Sequence, residues 1–131
     1  MAMSLVQKLQ LKLDQRLAVL NAPAGYLERL MAELAGITLT AQATAECDAV
    51  LLFVHNLAEV ERLTPEAIRA VKPDSLFWIA YPKGASKVKT DVNRDRLWEV
   101  VEPTGWRPVR QVALDDVWSA VRFRPVEKVG T

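Results

Sequence analysis

Hydrophobic residues fall along the chain in two kinds of run. Arg16 to Leu20, Ala49 to Val54 and Leu76 to Tyr81 are short and nearly continuous, as strands are when helices cover both faces of a parallel sheet. Between them the apolar positions recur at helical spacing. Leu27, Leu30, Met31 and Leu34 make one stripe, closed by Gly36. Leu57, Val60, Leu63, Ile68 and Val71 make a second, interrupted by Thr64-Pro65. That pair reads as a fresh cap and first helical position, so two short helices are predicted there. Leu97, Trp98 and Val101 make a third, with Asp91 or Asn93 as its cap and Gly105 just beyond its end. Ser4 caps a short first helix carrying Leu5 and Leu9, Leu11 to Gln15 forms a connection, and the β-branched stretch Ile37 to Thr40 is a further strand.

The end of the chain changes pattern. Arg107 to Ala113 and Val117 to Arg124 read as two strands joined near Asp115-Asp116, and the second alternates. Ser119, Val121 and Phe123 share one face, with Trp118, Ala120, Arg122 and Arg124 on the other. So short a connection implies an antiparallel pair. After the first helix the order is therefore β-α-β-β-α-β-α-β-β. This predicts an α/β, Rossmann-like fold: a mostly parallel sheet with helices on both faces and a C-terminal antiparallel strand pair. At 131 residues the chain has the size of one domain, and a single domain over 1–131 is expected.

Composition narrows the function classes. Half the residues are hydrophobic and a quarter charged, the make-up of a folded globular chain. The longest apolar run falls far short of the ~20 residues of a membrane helix, and the first ten residues carry no secretory pattern, so a cytoplasmic protein without membrane attachment is expected. The single cysteine, Cys47, and single histidine, His55, offer neither an internal disulfide nor a Cys/His zinc cluster, and no metal is expected. Net charge is only +1, yet residues 1–80 hold seven Lys/Arg against nine Asp/Glu, and residues 81–131 hold ten against seven. The excess gathers between Pro82 and Arg96, where five bases meet two acids. A focused charge steers small anions even on a near-neutral protein. Nucleic acid is not an expected partner, because the aromatics are not interleaved with this basic stretch.

The loop bearing Lys83, Ser86, Lys87, Lys89 and Thr90 leaves the carboxyl end of a predicted central strand and enters a helix start. That edge of an open α/β sheet is where ligands bind, and lysines, hydroxyls and a helix N-terminus together suit a phosphate-like anion. The plainer reading is a solvated loop whose Thr90 or Asp91 only caps the helix. Asn21, Gly25 and Tyr26 follow the first strand and His55 follows Ala49 to Val54, all on the same edge. Each is a candidate ligand contact, and each has a structural alternative: turn and helix start for Asn21 to Tyr26, a hydrogen-bonding role for His55 beside the cap Asn56. Cys47 reads as a buried, inert thiol. Ser86 and Ser119 lack the Gly-x-Ser-x-Gly setting of a hydrolase nucleophile. Asp115-Asp116 reads as a turn with solvated acids. Trp118, Arg122 and Arg124 share one face of the last strand and are candidates to stack on and grip a ligand or a partner; the plainer reading packs Trp118 under a helix, with Arg122 and Arg124 pairing to Asp115, Asp116 or Glu127.

The segments YPKGASKVKTDVNRD (81–95), RQVALDDVWSAVRFRP (110–125) and LAVLNAPAGYLERL (17–30) resemble a group of small bacterial proteins known as a domain of unknown function. That likeness implies a related fold and supplies no substrate or reaction. More remotely, the chain resembles class I methyltransferases. Asp48 opens an apolar strand, a helix follows, and Val71-Lys72-Pro73-Asp74 precedes the next strand; that fold also closes with a helix, a strand and an antiparallel last strand. The resemblance implies S-adenosylmethionine as cofactor, but three features depart from it. The glycine-rich turn is reduced to Asn21-Ala22-Pro23-Ala24-Gly25, with one glycine and no leading acid. The chain is short by a helix–strand–helix portion. No acid closes the second strand to hold a ribose, since Glu46 comes too late. Fold likeness does not carry activity across such gaps. The reading is thus a non-catalytic domain that binds a small anionic molecule on a methyltransferase-like scaffold. One alternative is a transferase dependent on S-adenosylmethionine or another nucleotide, with Asn21 and Gly25 on the cofactor and Lys83 or His55 on the reacting group. Another is a protein-interaction module, for instance a homodimer formed along the last strand.

Overall fold

A computed structural model describes residues 5–12, 14–34, 36–41, 47–83, 90–115 and 117–125. Strands β1 (Arg16–Leu20), β2 (Thr38–Thr40), β3 (Cys47–Phe53), β4 (Val71–Pro82), β5 (Trp106–Ala113) and β6 (Trp118–Pro125) form one sheet in the order β2-β1-β3-β4-β6-β5. The first four are parallel, and β6 is antiparallel to both β4 and β5. Helices α1 (Leu5–Lys8), α2 (Tyr26–Glu33), α3 (Leu57–Ala70) and α4 (Arg94–Val101) connect them, with a 3-10 turn at Glu102–Thr104. The crossover through α4 leaves a gap one strand wide between β4 and β5. The short turn at 114–117 folds β6 back into that gap, which makes the C-terminal pair antiparallel and puts β5, not the last strand, at the sheet's edge.

The alternation of side chains splits the core in two. On one face Leu17, Val19, Ala49, Leu51, Phe53, Trp78 and Ala120 pack with Leu9 and with Tyr26, Leu30 and Leu34 in and just after α2. On the other face Ala18, Val50, Leu52, Phe77, Ile79, Val121 and Phe123 pack with Val60 and Ala67 of α3 and Leu97 and Val101 of α4. β3 thus has core on both sides, as its unbroken apolar run requires. Trp78 lies wholly inside and satisfies its indole N–H on the Leu9 carbonyl at 3.1 Å.

Three details depart from the sequence expectations, and one alternative left open there is decided. α3 is one helix of 14 residues with Pro65 inside it, not two pieces. Pro65 and Glu61, whose carbonyl loses its usual donor, lie on the exposed side, while Val60 and Ala67 are buried in one core on either side of the break and hold the helix together. β4 starts earlier than Leu76: Cys47 pairs with Val71, Ala49 with Leu76, so two residues of β3 span five of β4. Pro73 falls in that irregular stretch, where no ladder donor is needed. Met31 points outward at 60 % exposure, and Tyr26 takes the buried place instead. Asn93, not Asp91, caps α4, its Oδ1 accepting the Arg96 N–H at 2.9 Å.

Only residues 41–46 separate β2 from β3, too few for a helix–strand–helix insertion. Ser4, Glu46, Ser86, Lys87, Lys89, Asp116 and Glu127 lie outside the described residues. No described helix is long and apolar enough to cross a membrane.

The two-sided burial of β3 sets a stability test. Leu51→Ala is expected to cost about 2–5 kcal/mol and Met31→Ala less than about 0.5 kcal/mol, read from urea unfolding. Equal costs at the two positions would contradict the assignment of the buried face.

Candidate functional site

The sheet order reverses between β1 and β3: from β1 the chain turns outward through α2 to β2, and from β3 it proceeds the other way to β4. A crevice opens outside the carboxyl ends of the strands at such a point. Here Asn21 follows β1 in the left-handed region at φ 57°, a conformation asparagine adopts more readily than most residues. Its Nδ2 donates to the Phe53 carbonyl at 2.8 Å and ties the ends of β1 and β3 together. Asn21 also helps to lower the pKa of the Glu59 carboxylate.

Glu59 is the centre of this edge. Its Oε1 accepts the His55 backbone N–H at 2.6 Å and faces His55 Nδ1 at 2.9 Å. Burial pulls its pKa upward, but the donors from His55 and Asn21 outweigh burial and hold the carboxyl below its ordinary range. Asn56 Oδ1 accepts the Glu59 N–H at 2.9 Å and caps α3, joined by Asp91 Oδ1 on the Leu57 N–H at 2.8 Å. The Thr90 hydroxyl donates to the His55 carbonyl at 2.8 Å and accepts from Val92 N–H at 3.0 Å. The return of the basic loop is thereby fastened to the end of β3.

Over the other sheet face an aromatic row covers the same edge. Tyr26 meets Phe53 at 4.9 Å, Phe53 meets Trp118 at 5.0 Å, and Trp118 meets His55 at 5.3 Å, each edge to face. Asp115 locks the row. Its Oδ2 accepts from the Tyr26 hydroxyl and Arg29 Nη1, both at 3.0 Å, and its Oδ1 from the backbone N–H groups of Val117 and Trp118, both at 2.8 Å. Burial raises the Asp115 pKa, yet these donors together hold it below the usual range. Burial and the neighbouring carboxylate push the Tyr26 phenol well above its ordinary value.

Of the sequence candidates, Asn21, His55 and Thr90 are brought together around Glu59. Tyr26 stands apart, committed to Asp115. Gly25 is the residue before α2 at φ +77°, and an added Cβ would meet no atom within 4 Å; its backbone conformation, not a close approach, requires glycine. Lys83 follows β4 and donates its backbone N–H to the Val117 carbonyl at 2.7 Å. Beyond Thr90, a depression of about 340 Å³ is lined by Thr90, Asp91, Val92, Asn93 and Arg96. Asp115 is not a solvated turn acid, and its arginine is Arg29, not Arg122 or Arg124. Glu59 is not among the sequence candidates, and Asp115 is among them only as a turn acid. Glu59 carries a signal, since Asn56-x-x-Glu59 has capping-box spacing. Arg29 and Asp115 lie 86 positions apart, and no local pattern joins them. Among the described residues, no three His, Cys, Asp or Glu side chains gather as a metal site requires.

With this geometry in hand, the comparisons define the fold class. The chain matches a SAM dependent methyltransferase from Aquifex aeolicus at TM-score 0.58 and 14% identity, over 90% of this chain and 86% of that one. It matches a ribosomal protein L11 methylase from Lactobacillus delbrueckii subsp. bulgaricus at 0.55 and 9%, over 92% and 74%. It matches a protein in the NADB-Rossmann superfamily from Streptococcus agalactiae at 0.55 and 10%, over 95% and 70%. The fold is Rossmann-like, of the kind seen in class I methyltransferases, and at these identities the likeness is one of fold alone. No protein-family model and no curated protein matches the chain.

Asp115 supplies the test of this edge. A carboxylate whose folded pKa is depressed stabilises the protein above its unfolded pKa and loses that contribution as pH falls through the folded value. Stability is therefore expected to hold from pH 7 to about 5 and to fall below about pH 4, with a shallower acid slope in Asp115→Asn. Tyr26→Phe removes a hydrogen bond to a charged group and should cost about 1.5–3 kcal/mol in chemical unfolding at pH 7. An unchanged acid slope in Asp115→Asn would refute the lock.

Proposed function

We propose that this chain is a non-catalytic domain that binds a small anionic molecule at the carboxyl edge of a methyltransferase-like scaffold. The observation that carries the reading is the hydrogen bond from Asn21 Nδ2 to the Phe53 carbonyl at 2.8 Å. It spans the crevice at the strand-order reversal with the chain's own side chains, where a nucleotide cofactor would need open space and glycine-rich backbone. The reduced turn, with Gly25 as its one glycine, agrees with that. The anion would be met next door. Lys83 follows the end of β4, Ser86, Lys87 and Lys89 come next in sequence, and the chain returns at Thr90 beside the depression that reaches Arg96. Lysines, a hydroxyl and the first turn of a helix suit a phosphate or sulfate group.

A second reading, a transferase dependent on S-adenosylmethionine, draws on one observation: the likeness covers 86% of the Aquifex aeolicus methyltransferase, so most of that scaffold has a counterpart here. Thermal unfolding separates the two. Phosphorylated metabolites, sulfate, nucleotides and S-adenosylmethionine are screened against the wild type and against Lys83→Ala/Lys87→Ala. A ligand at 100 times its dissociation constant adds roughly 2.7 kcal/mol, several degrees in a domain of this size. The proposal expects a shift with phosphorylated compounds that the double variant abolishes, and none with S-adenosylmethionine. A shift with S-adenosylmethionine that survives the double variant would replace it with the second reading.

A further inference from the structure

β5 and β6 carry charge that neither the crevice nor the basic loop uses. Together they hold four arginines, Arg107, Arg110, Arg122 and Arg124, and no lysine, aspartate or glutamate. The ladder sets Arg107 opposite Arg124 and Arg110 opposite Arg122. Like charges directly opposed destabilise a sheet. Among the described residues, no acid forms an ion pair with any of these four arginines.

Arg107 is engaged elsewhere, its guanidinium 5.8 Å from the centre of the Trp98 ring. The other three share a sheet face. Arg122 and Arg124 are two residues apart on β6, about 7 Å along the strand, and Arg110 lies across from Arg122. Arg122 is held in place, with Nη1 donating to Gln10 Oε1 at 2.7 Å, while its Nε is buried without a hydrogen-bond partner. Burial first, then the charges of Arg124 and Arg110, lower the pKa of its guanidinium.

Edge strands are often guarded by charged side chains, and that accounts for Arg110, which is exposed on β5. It does not account for Arg122 and Arg124. They stand on β6, which has a strand on each side, and both are partly buried. Three guanidinium groups with an unused buried donor and no carboxylate among them match an oxyanion with several acceptor atoms and more than one negative charge.

We propose that Arg110, Arg122 and Arg124 form a second anion site, for a phosphate group. It is separate from the carboxyl edge: Arg122 pairs with Trp78, four residues before the end of β4, whereas Trp118 pairs with Pro82 at that end. The proposal does not depend on the ligand read for the basic loop.

The test is thermal unfolding titrated with inorganic phosphate against sodium chloride at matched ionic strength. It uses the wild type, Arg110→Gln, Arg122→Gln and the loop variant Lys83→Ala/Lys87→Ala. Arg110 is exposed, so Arg110→Gln keeps the test valid if Arg122→Gln fails to fold. In chloride, Arg110→Gln should melt higher than wild type, because one of two opposed cations is gone. Phosphate should raise the wild-type melting temperature above the chloride control by several degrees at 100 times its dissociation constant. Arg110→Gln should lose at least half of that rise, and the loop variant should keep at least the part Arg110→Gln loses. Parallel titrations with a mononucleotide and a short single-stranded oligonucleotide identify the source. A larger rise with either than with inorganic phosphate, lost in Arg110→Gln and kept in the loop variant, supports the site and assigns an esterified phosphate to it. An undiminished phosphate rise in Arg110→Gln, or no rise above chloride in wild type, overturns the proposal. A rise abolished by the loop variant and undiminished in Arg110→Gln overturns it while leaving the loop site standing.

Discussion

The run from Cys47 to Val54 has almost no side-chain surface in water: every residue but Asp48 is buried, at most 1 % exposed. A strand buried on both faces needs a strand on each side and helices above and below, and the rest of the architecture follows from meeting that need. Helices can cover both faces only through crossover connections, which make β1, β2, β3 and β4 parallel. Parallel strands bring their carboxyl ends to one edge. For that reason Asn21, His55 and Lys83, far apart in sequence, end up along the same rim.

Unpaired polar groups at the ends of buried strands are costly, and here the chain satisfies them internally. Asn21 takes the Phe53 carbonyl, Glu59 takes the His55 N–H, and Thr90 takes the His55 carbonyl. On the other face Asp115 gathers four donors beneath the row from Tyr26 to Trp118. Both carboxylates are kept ionised by donors the fold itself supplies. The edge is thus tied together by the chain's own groups, and the arginines of β5 and β6 stand apart from it.

The fold was readable because its signals are local. A two-face-buried strand, a helical stripe and an alternating last strand each declare themselves within about ten residues, and the order of elements then implies the sheet. The misreadings have physical causes. Pro65 breaks a helix only where its lost hydrogen bond is buried, and exposure on that side cannot be read from spacing. Met31 fits the stripe as well as Tyr26 does, but the second apolar layer under α2 is aromatic, and Tyr26 gains a hydroxyl bond to Asp115 that methionine cannot make. Of the site, Asn21, His55 and Thr90 were legible as residues at strand ends. Glu59 and Arg29 were not singled out, and Asp115 was legible only as a turn acid, since it meets Tyr26 and Arg29 only after the sheet has closed. The arginine face was half legible: alternation put Arg122 and Arg124 together, whereas Arg110 joins them only through the β5–β6 register.

The account turns on the bridge between Asn21 and Phe53, and the side-chain amide of Asn21 reports on it directly. Nuclear magnetic resonance would follow exchange of the Asn21 Nδ2 protons with water, without and with millimolar S-adenosylmethionine. A closed crevice is expected to give protected Asn21 amide protons, with resonances of residues 21–26 and 53–56 unmoved by the added nucleoside. Rapid exchange at Asn21, together with shifts in both segments on adding S-adenosylmethionine, would contradict the closure and return the crevice to the role it has in a methyltransferase.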